Sequence, residues 1–306
     1  MKISVLIPTF NRVESLQRCF QALSVMSRMP DEVVLVARAE DKATQECARE
    51  WAVRIPIRVT IVDQPGTVRA LNAGLVAMNG DVVAITDDDT APRSDWLLKM
   101  EAWYESNAEV GGLGGRDWIH QGDLVVDGVA KTVGKIQPFG RLVGNHHLGD
   151  GAPREVDFLK GANMSFRKSA IEGLKFEERL RGRGAQVYLE LPFSLTVLGR
   201  GWKLIYDPAV AVDHFPAARV AGSLRGELSA QAVEDGAFNL YLSLCTTTPG
   251  TYRRFMACLW QVMVGTSGAP GIAHLLLGLL RGRNVFPLWK AATRGRRSAS
   301  ETVAGC

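Results

Sequence analysis

The stretch Asp81-Val-Val-Ala-Ile-Thr-Asp-Asp-Asp89 decides how this chain folds. Its middle, 82–86, has high strand propensity, which is typical of a strand buried on both faces of a parallel sheet. Three consecutive carboxylates follow where this strand must end, just before Thr90-Ala-Pro92. Open α/β sheets bind their ligands at the carboxyl ends of strands, so the sequence predicts a ligand site at these acids.

The three carboxylates also predict a bound cation. Like charges this close repel one another, and a divalent ion between them relieves that repulsion. Hard oxygen ligands suit Mg²⁺ or Mn²⁺, and an ion held by two or three carboxylates can in turn hold a diphosphate. We therefore expect Mg²⁺ or Mn²⁺ at residues 87–89, with a solvated acidic turn as the alternative.

Strands and helices alternate around this stretch. Residues 3–7, 32–36, 58–62 and 81–86 predict strands, and residues 13–26, 42–52, 66–78 and 96–106 predict helices. Such alternation predicts an α/β fold, with a mostly parallel central sheet flanked by helices and joined by right-handed crossovers.

The second half of the chain is less regular. Residues 111–150 are rich in glycine and predict a strand pair with a flexible loop that could cover a site. Residues 156–167 return to the sheet, 187–198 predict a helix, and 203–206 and 210–214 predict two short strands. Beyond residue 218 the sequence predicts a helical extension.

Composition and cysteine usage indicate a globular protein. The 306 residues are 46% hydrophobic and 22% charged, and they suffice for one large domain with an appendage. The five cysteines, at 19, 47, 245, 258 and 306, form no C-x-x-C pair. We expect them to be reduced thiols in a cytoplasmic protein. The N-terminus enters a strand at once and lacks the features of a signal peptide.

The last seventy residues are basic and partly apolar. Residues 236–300 contain eight Lys and Arg but no acid, and two apolar segments, 255–265 and 272–280, are each shorter than the ~20 residues that span a membrane. They predict a peripheral contact with the inner face of the cell membrane. A helical subdomain with solvated arginines is the alternative, and no nucleic-acid-binding signature is present.

Four motifs, in this order, resemble the family 2 inverting glycosyltransferases, which have the A-type nucleotide-diphospho-sugar-binding fold. They are Val5-Leu-Ile-Pro-Thr-Phe-Asn-Arg12, Arg69-Ala-Leu-Asn-Ala-Gly74, Thr86-Asp-Asp-Asp89 and Tyr206-Asp-Pro-Ala-Val-Ala-Val-Asp-His214. The resemblance covers about residues 1–216. It implies a nucleotide-sugar-binding and catalytic domain at 1–220. The composition of the remaining residues, 221–306, predicts a helical, basic, membrane-associated region.

The resemblance also implies the donor and metal sites. Asp89 and His214 are the expected metal ligands, and Asp87 is expected to face the ribose. The full set expected to bind the nucleotide sugar is Pro8, Thr9, Asn11, Arg12, Arg38, Asp41, Arg69, Asn72, Asp87 and Asp88. The family commonly has Asp-Asp after its second strand, where this chain has Ala37-Arg38, so the choice of nucleotide stays open.

The expected general base is Glu190. The family places it eleven residues before a glycine that opens the next strand, which is Gly201 here. Leu189 replaces the acid that usually precedes it, and an apolar neighbour should raise the pKa of Glu190. Expected contacts to the acceptor are Asn163, Arg167 and Trp118.

The expected activity is metal-dependent transfer of a sugar, with inversion, from a nucleotide-diphospho-sugar to a hydroxyl. A lipid-linked or glycan acceptor in bacterial cell-surface polysaccharide synthesis is the expected context. One alternative is a catalytically silent nucleotide-sugar-binding scaffold. Another is a sugar nucleotidyltransferase, which should carry a glycine-rich loop after the first strand, where this chain has Pro8-Thr-Phe-Asn-Arg12.

Overall fold

The computed structural model describes residues 1–182, 186–216 and 229–305. Its helices are α1 (Val13–Leu23), α2 (Lys42–Trp51), α3 (Thr67–Ala77), α4 (Trp96–Ser106), α5 (Lys168–Ile171), α6 (Glu190–Gly199), α7 (Ala230–Thr247), α8 (Thr251–Met263), α9 (Ile272–Leu280) and α10 (Phe286–Ala304). Its strands are β1 (Ile3–Pro8), β2 (Glu32–Arg38), β3 (Ile57–Val62), β4 (Val82–Ile85), β5 (Thr90–Pro92), β6 (Val110–Gln121), β7 (Leu124–Val125), β8 (Lys135–Ile136), β9 (Leu142–Val143), β10 (Arg154–Glu155), β11 (Met164–Arg167), β12 (Lys203–His214), β13 (Gly265–Thr266) and β14 (Ala269–Pro270). The predicted boundary at residue 220 and Cys306 lie outside the described residues.

The central sheet has the order β10-β12-β6-β11-β4-β1-β2-β3, with β5 beside β12 and β7 beside β6. Strands β4, β1, β2 and β3 are parallel, and so are β6 and β12. Strand β11 runs antiparallel to both of its neighbours, β4 and β6. The predicted mostly parallel sheet flanked by helices is confirmed.

Residues that alternate along β1 serve two different cores. Val5 packs on one side of the sheet with α1 and α4, whereas Leu6 packs on the other side with α3 and α6. This alternation is the two-residue period of a strand covered on both faces. Strand β4, which pairs with β1, is buried throughout. Because β4 ends at Ile85, the following acids lie at the carboxyl edge of the sheet.

The glycine-rich stretch begins with β6, a strand in the middle of the central sheet, and β6 pairs with the short β7 as the predicted strand pair. Strand β6 is buried along most of its length. Its glycines allow close approach: a Cβ on Gly111 would lie 2.6 Å from the Cβ of Trp202, and one on Gly115 would lie 1.6 Å from the carbonyl oxygen of Val210. These glycines therefore make room for β12 and its neighbours.

We expect Gly115→Ala to lower the free energy of unfolding by about 3 kcal/mol, because the new methyl overlaps the backbone of β12. Gly199→Ala is the matched control, since a Cβ there meets nothing within 4 Å. Urea denaturation of both variants measures the effect. Equal stability of the two variants would contradict the close packing of β6 against β12.

Strand β12 is continuous, whereas the sequence predicted two short strands. It pairs with β6, and the register shifts between Asp207 and Val212. The shift lets one strand continue past Pro208 to His214, which pairs with Thr90 of β5. This pairing carries His214 to the same edge of the sheet as the acids that follow β4.

Helices α7 and α10 pack on the body of the protein. Phe238 and Leu242 of α7 and Ala299 of α10 belong to the core that also contains Leu6. Among the helices in the described ranges, none combines the length and the apolar character needed to cross a membrane.

The cysteine prediction is wrong for one pair. Cys245 of α7 and Cys258 of α8 form a disulfide, with their Cα atoms 6.1 Å apart. Thirteen residues separate them in sequence, but two packed helices bring them together. Cys19 and Cys47 are free and buried.

Candidate active site

The acids after β4 divide into two groups with different partners. Both oxygens of Asp88 accept hydrogen bonds: Oδ2 from the Thr9 hydroxyl at 2.7 Å and Oδ1 from Arg12 Nη1 at 3.0 Å. Asp88 therefore holds the turn after β1 against the end of β4. Arg12 Nη1 also lies 3.7 Å from Asp89 Oδ2, so this arginine partly balances the charge of the cluster.

Asp87, Asp89 and His214 form a cluster that can hold a metal ion. One ligand atom from each side chain lies within 4.8 Å of the others, and His214 Nε2 is 3.3 Å from Asp89 Oδ1. Two carboxylates and an imidazole match the ligands that Mn²⁺ accepts, and the oxygens also suit Mg²⁺. The donor set thus fits the divalent ion that the sequence predicted.

The electrostatics of the cluster favour added positive charge. Burial, with the neighbouring charge of Asp89, raises the pKa of Asp87 to about 7. Burial lowers the pKa of His214, but the nearby carboxylates of Asp117 and Asp89 outweigh it and raise that pKa to about 9. The crowded carboxylates therefore stabilise a cationic partner at this position.

Asp117 and Lys160 extend the cluster, and the sequence analysis missed both. Asp117 Oδ2 lies 3.6 Å from His214 Nδ1 and 2.6 Å from Lys160 Nζ. Although burial raises the pKa of Asp117, His214 and Lys160 lower it to about 2. Asp117 lies in the glycine-rich stretch, far in sequence from the other acids. It becomes a candidate site residue only when β6 is paired with β12, where it lies opposite Val212.

Glu190, the predicted base, is the first residue of α6 and is half-buried. Burial raises the pKa of its carboxyl above the ordinary value of 4.5, and the positive charge of Lys160 partly offsets this effect. Lys160 therefore acts electrostatically on Glu190 while it contacts Asp117 directly. The residue before Leu189, Tyr188, has a φ of 67° in the left-handed region, which makes the entry to this helix unusual.

The turn after β1 carries four of the predicted donor-binding residues. Pro8 ends β1, Thr9 and Arg12 contact Asp88, and Asn11 has a left-handed φ of 54°. The backbone N–H of Asn11 donates to Asp41 Oδ2 at 2.6 Å. These four residues therefore lie on one turn beside the acid cluster.

Asp41 already has a structural role. Its carboxylate caps α2 by accepting from the Thr44 backbone N–H at 3.1 Å and from the Thr44 hydroxyl at 2.7 Å. Nearby, the guanidinium of Arg38 lies over the ring of Phe10, 4.8 Å from its centroid. Phe10 is 41% exposed, so this pair presents an accessible flat surface beside the turn after β1.

The two residues of α3 that were predicted to bind the donor, Arg69 and Asn72, are not part of the cluster of Asp87, Asp89 and His214. Arg69 is exposed. The Asn72 amide donates to the Phe176 carbonyl and to Glu178, and it accepts from the Phe176 N–H. Asn72 thus fastens α3 to the segment after α5.

Two of the three residues predicted to contact the acceptor have partners within the fold. Arg167 pairs with Val82 at the start of β4, the end of the sheet opposite the acids, and it donates to the backbone carbonyls of Tyr104, Asn107 and Val110. Asn163 is buried, and its amide is occupied by Trp96 and two backbone carbonyls. Both side chains hold the fold together.

Trp118 lies next to Asp117 on β6 and opposite Asp213 on β12. Its half-buried ring stacks against the guanidinium of Arg116, 3.6 Å from the centroid. Its contact with an acceptor stays a prediction.

Comparison with known proteins supports the resemblance. The family model described as "Glycosyl transferase family 2" matches residues 4–173, more than half of the chain. A glucosyl-dolichyl phosphate glucuronosyltransferase of Haloferax volcanii is 25% identical over 223 residues, which are 70% of this chain and 69% of the relative. Other alignments are shorter, and the chain spans 33% of the length of two further curated relatives.

Two solved structures share the fold. S. aureus TarS 1–349 in complex with UDP-GlcNAc has a TM-score of 0.63 and 14% identity, over 95% of this chain and 79% of that one. The mannosyltransferase PcManGT from Pyrobaculum calidifontis, in complex with GDP-Man and Mn²⁺, has a TM-score of 0.58 and 16% identity, over 98% of this chain and 86% of that one. Because the family model matches more than half of it, the chain belongs to glycosyl transferase family 2.

Proposed function

We propose that the protein is a metal-dependent inverting glycosyltransferase that moves a sugar from a nucleotide-diphospho-sugar to a hydroxyl of a lipid-linked acceptor. The observation that carries this proposal is the cluster of Asp87, Asp89 and His214 at the carboxyl edge of a family 2 domain. Glu190 is the proposed base, at the start of α6.

In this proposal the donor binds between the turn after β1 and the acid cluster. Asp87 would face the ribose, while Asp89 and His214 would hold Mn²⁺ or Mg²⁺ beside it. When bound, that ion stabilises the negative charge that develops on the leaving diphosphate. Arg12, held by Asp88, adds a fixed positive charge beside the same group.

Glu190 performs the proton transfer. Its carboxylate takes the proton of the acceptor hydroxyl as that oxygen bonds to the anomeric carbon from the face opposite the diphosphate. The bond from the anomeric carbon to the diphosphate breaks in the same step, so the configuration inverts. The raised pKa of Glu190 brings its basicity nearer to that of a working general base.

The residues expected to lie near the nucleobase do not identify which nucleotide the donor carries. Arg38 and the exposed ring of Phe10 offer a surface on which a nucleobase can stack. The two structural neighbours carry different nucleotides, UDP-GlcNAc in one and GDP-Man in the other. A thermal-shift screen of nucleotide sugars with and without Mn²⁺ identifies the donor, because a bound ligand raises the melting temperature by mass action.

Activity separates this proposal from its alternatives. A transferase should hydrolyse its donor slowly when the acceptor is absent, and this hydrolysis should stop when a chelator is added. A silent scaffold would bind the donor without hydrolysing it. A nucleotidyltransferase would instead release pyrophosphate from a nucleoside triphosphate and a sugar phosphate.

The lipid-linked acceptor is proposed because of an apolar surface on α8 and α9, which we call the tail surface. Half of the large hydrophobic residues that are exposed in the described chain lie between residues 252 and 286. They are Tyr252, Phe255, Leu259, Val262, Met263, Ile272, Leu276, Leu277, Leu279, Leu280 and Phe286. The spacing of the five on α8 places them along one stripe of that helix.

Charge around the tail surface favours an anionic lipid leaflet as its partner. Arg281, Arg283 and Lys290 are exposed just after α9. Other cations of the tail serve the fold instead: Arg253 pairs with Asp157, and Arg296 donates to the carbonyls of β14. An apolar face bordered by exposed cations is typical of a helix pair that lies in the membrane interface.

We expect the double change Leu276→Asp and Leu280→Asp to weaken binding to vesicles by at least about tenfold, because two apolar side chains no longer enter the lipid. Co-sedimentation with phosphatidylcholine vesicles, with and without phosphatidylglycerol, measures this. The unchanged protein should prefer the anionic vesicles and should lose binding as salt is raised.

The matched control is Val53→Asp, because Val53 is 85% exposed and Leu280 is 84% exposed. This control should bind vesicles as the unchanged protein does. Point substitutions are more selective than deletion of the tail, since α10 contributes Ala299 to the main core. Equal binding by the double variant and the unchanged protein would remove the tail surface from the proposal.

A further inference from the structure

The ring of His214 lies between the proposed metal site and a second buried carboxylate, Asp117. His214 presents its two ring nitrogens to two different carboxylates: Nε2 is 3.3 Å from Asp89, and Nδ1 is 3.6 Å from Asp117. Nδ1 is buried and has no hydrogen-bond partner among the described residues. Its distance to Asp117 is slightly longer than the roughly 2.7–3.2 Å of an ordinary N–H···O bond.

We propose that Asp117 is a positioning residue for His214: its carboxylate accepts from the Nδ1–H of the ring and so holds the ring with Nε2 facing the metal side. The inference rests on the proposed metal site. Histidines that bind metals usually donate their other ring N–H to a carboxylate or carbonyl, which sets both the tautomer and the ring orientation.

Lys160 explains why Asp117 serves this role and does not compete for the metal. Its ammonium lies 2.6 Å from Asp117 Oδ2, the same oxygen that is 3.6 Å from His214 Nδ1, so the charge of the buried carboxylate is already balanced within the protein. The carboxylate paired with Lys160 can still accept a hydrogen bond from His214. Asp117 is not a member of the three-residue ligand cluster found among the described residues. Three elements must meet to build this chain: β6, the segment before β11, and the end of β12.

The test is the affinity of the full-length protein for Mn²⁺ in the absence of donor. Isothermal titration calorimetry and the electron paramagnetic resonance spectrum of free Mn²⁺ both measure it. We expect Asp117→Asn, which keeps the shape but removes the charge, to weaken Mn²⁺ binding about 10- to 100-fold. Turnover of the donor at saturating Mn²⁺ should recover to within a few-fold, because the ion still binds once its concentration is high enough. The melting temperature without metal should fall in both Asp117→Asn and Asp157→Asn, because each change leaves a lysine without its carboxylate partner, so only the Mn²⁺ affinity separates the two variants.

Asp157→Asn is the matched control. Asp157 is also buried and also ion-paired with a lysine, Lys135 at 3.4 Å, but its second partner is Arg253 at 2.9 Å and not a histidine. This variant should bind Mn²⁺ as the unchanged protein does. Equal Mn²⁺ affinity of Asp117→Asn and the unchanged protein would overturn the positioning role alone, and absence of Mn²⁺ binding by the unchanged protein would overturn the metal site as well.

Discussion

Asp89→Ala is expected to lower metal-dependent turnover by on the order of 10³-fold, because an ion that stabilises the leaving diphosphate contributes several kcal/mol. The fold should remain intact. Asp89 lies in a crowded acid cluster, so its removal relieves repulsion on Asp87 when no metal is present. Mn²⁺ should raise the melting temperature of the unchanged protein and leave that of the variant unmoved.

Asp123→Ala is a suitable control for this change. Asp123 is an exposed acid between β6 and β7, so its loss alters the net charge by the same amount. The control should keep both its turnover and its stabilisation by Mn²⁺. If Asp89→Ala still turned over normally in the presence of a chelator, the metal-dependent mechanism would be wrong.

Local sequence patterns predicted the first hundred residues well, because each element there is defined by its own periodicity. The apolar run before Asp87 predicted β4, and the helix predicted at 96–106 is α4. The glycines of β6 did not reveal its burial for a physical reason: glycine marks either a flexible turn or a place where another chain segment approaches closely. At Gly115 that segment is β12, nearly a hundred residues away in sequence.

In the candidate site, too, local sequence predicted some residues, whereas others depend on contacts between distant parts of the chain. Asp87, Asp89 and His214 could be proposed from motifs, because each ends a recognisable strand. Asp117 and Lys160 could not, because their partnership exists only after β6 and β12 have paired. Asn163 and Arg167 lie in a family-like motif, but their side chains hold backbone carbonyls within the fold. A motif therefore indicates a local fold without saying which of its polar residues contact a substrate.

Glu190→Gln is expected to reduce sugar transfer by about 10²- to 10⁴-fold, the usual cost of losing a general base. The amide keeps the size and shape of the side chain but cannot take a proton at this position. Donor affinity and its dependence on Mn²⁺ should stay within a few-fold, since Asp87, Asp89 and His214 are unchanged. Transfer by the unchanged enzyme should fall as the pH is lowered through the raised pKa of Glu190, because the base must be ionised.

Glu177→Gln separates this effect from a general loss of carboxylate charge, because Glu177 is engaged by Arg179 and its pKa is lowered, the opposite of Glu190. The control should keep the acid limb of the pH profile, whereas Glu190→Gln should abolish it together with transfer. Near-normal transfer by Glu190→Gln would move the base to another acid. Leu189 leaves no second carboxylate beside Glu190 to share the proton. Loss of donor binding as well as transfer would mean that Glu190 has a structural role.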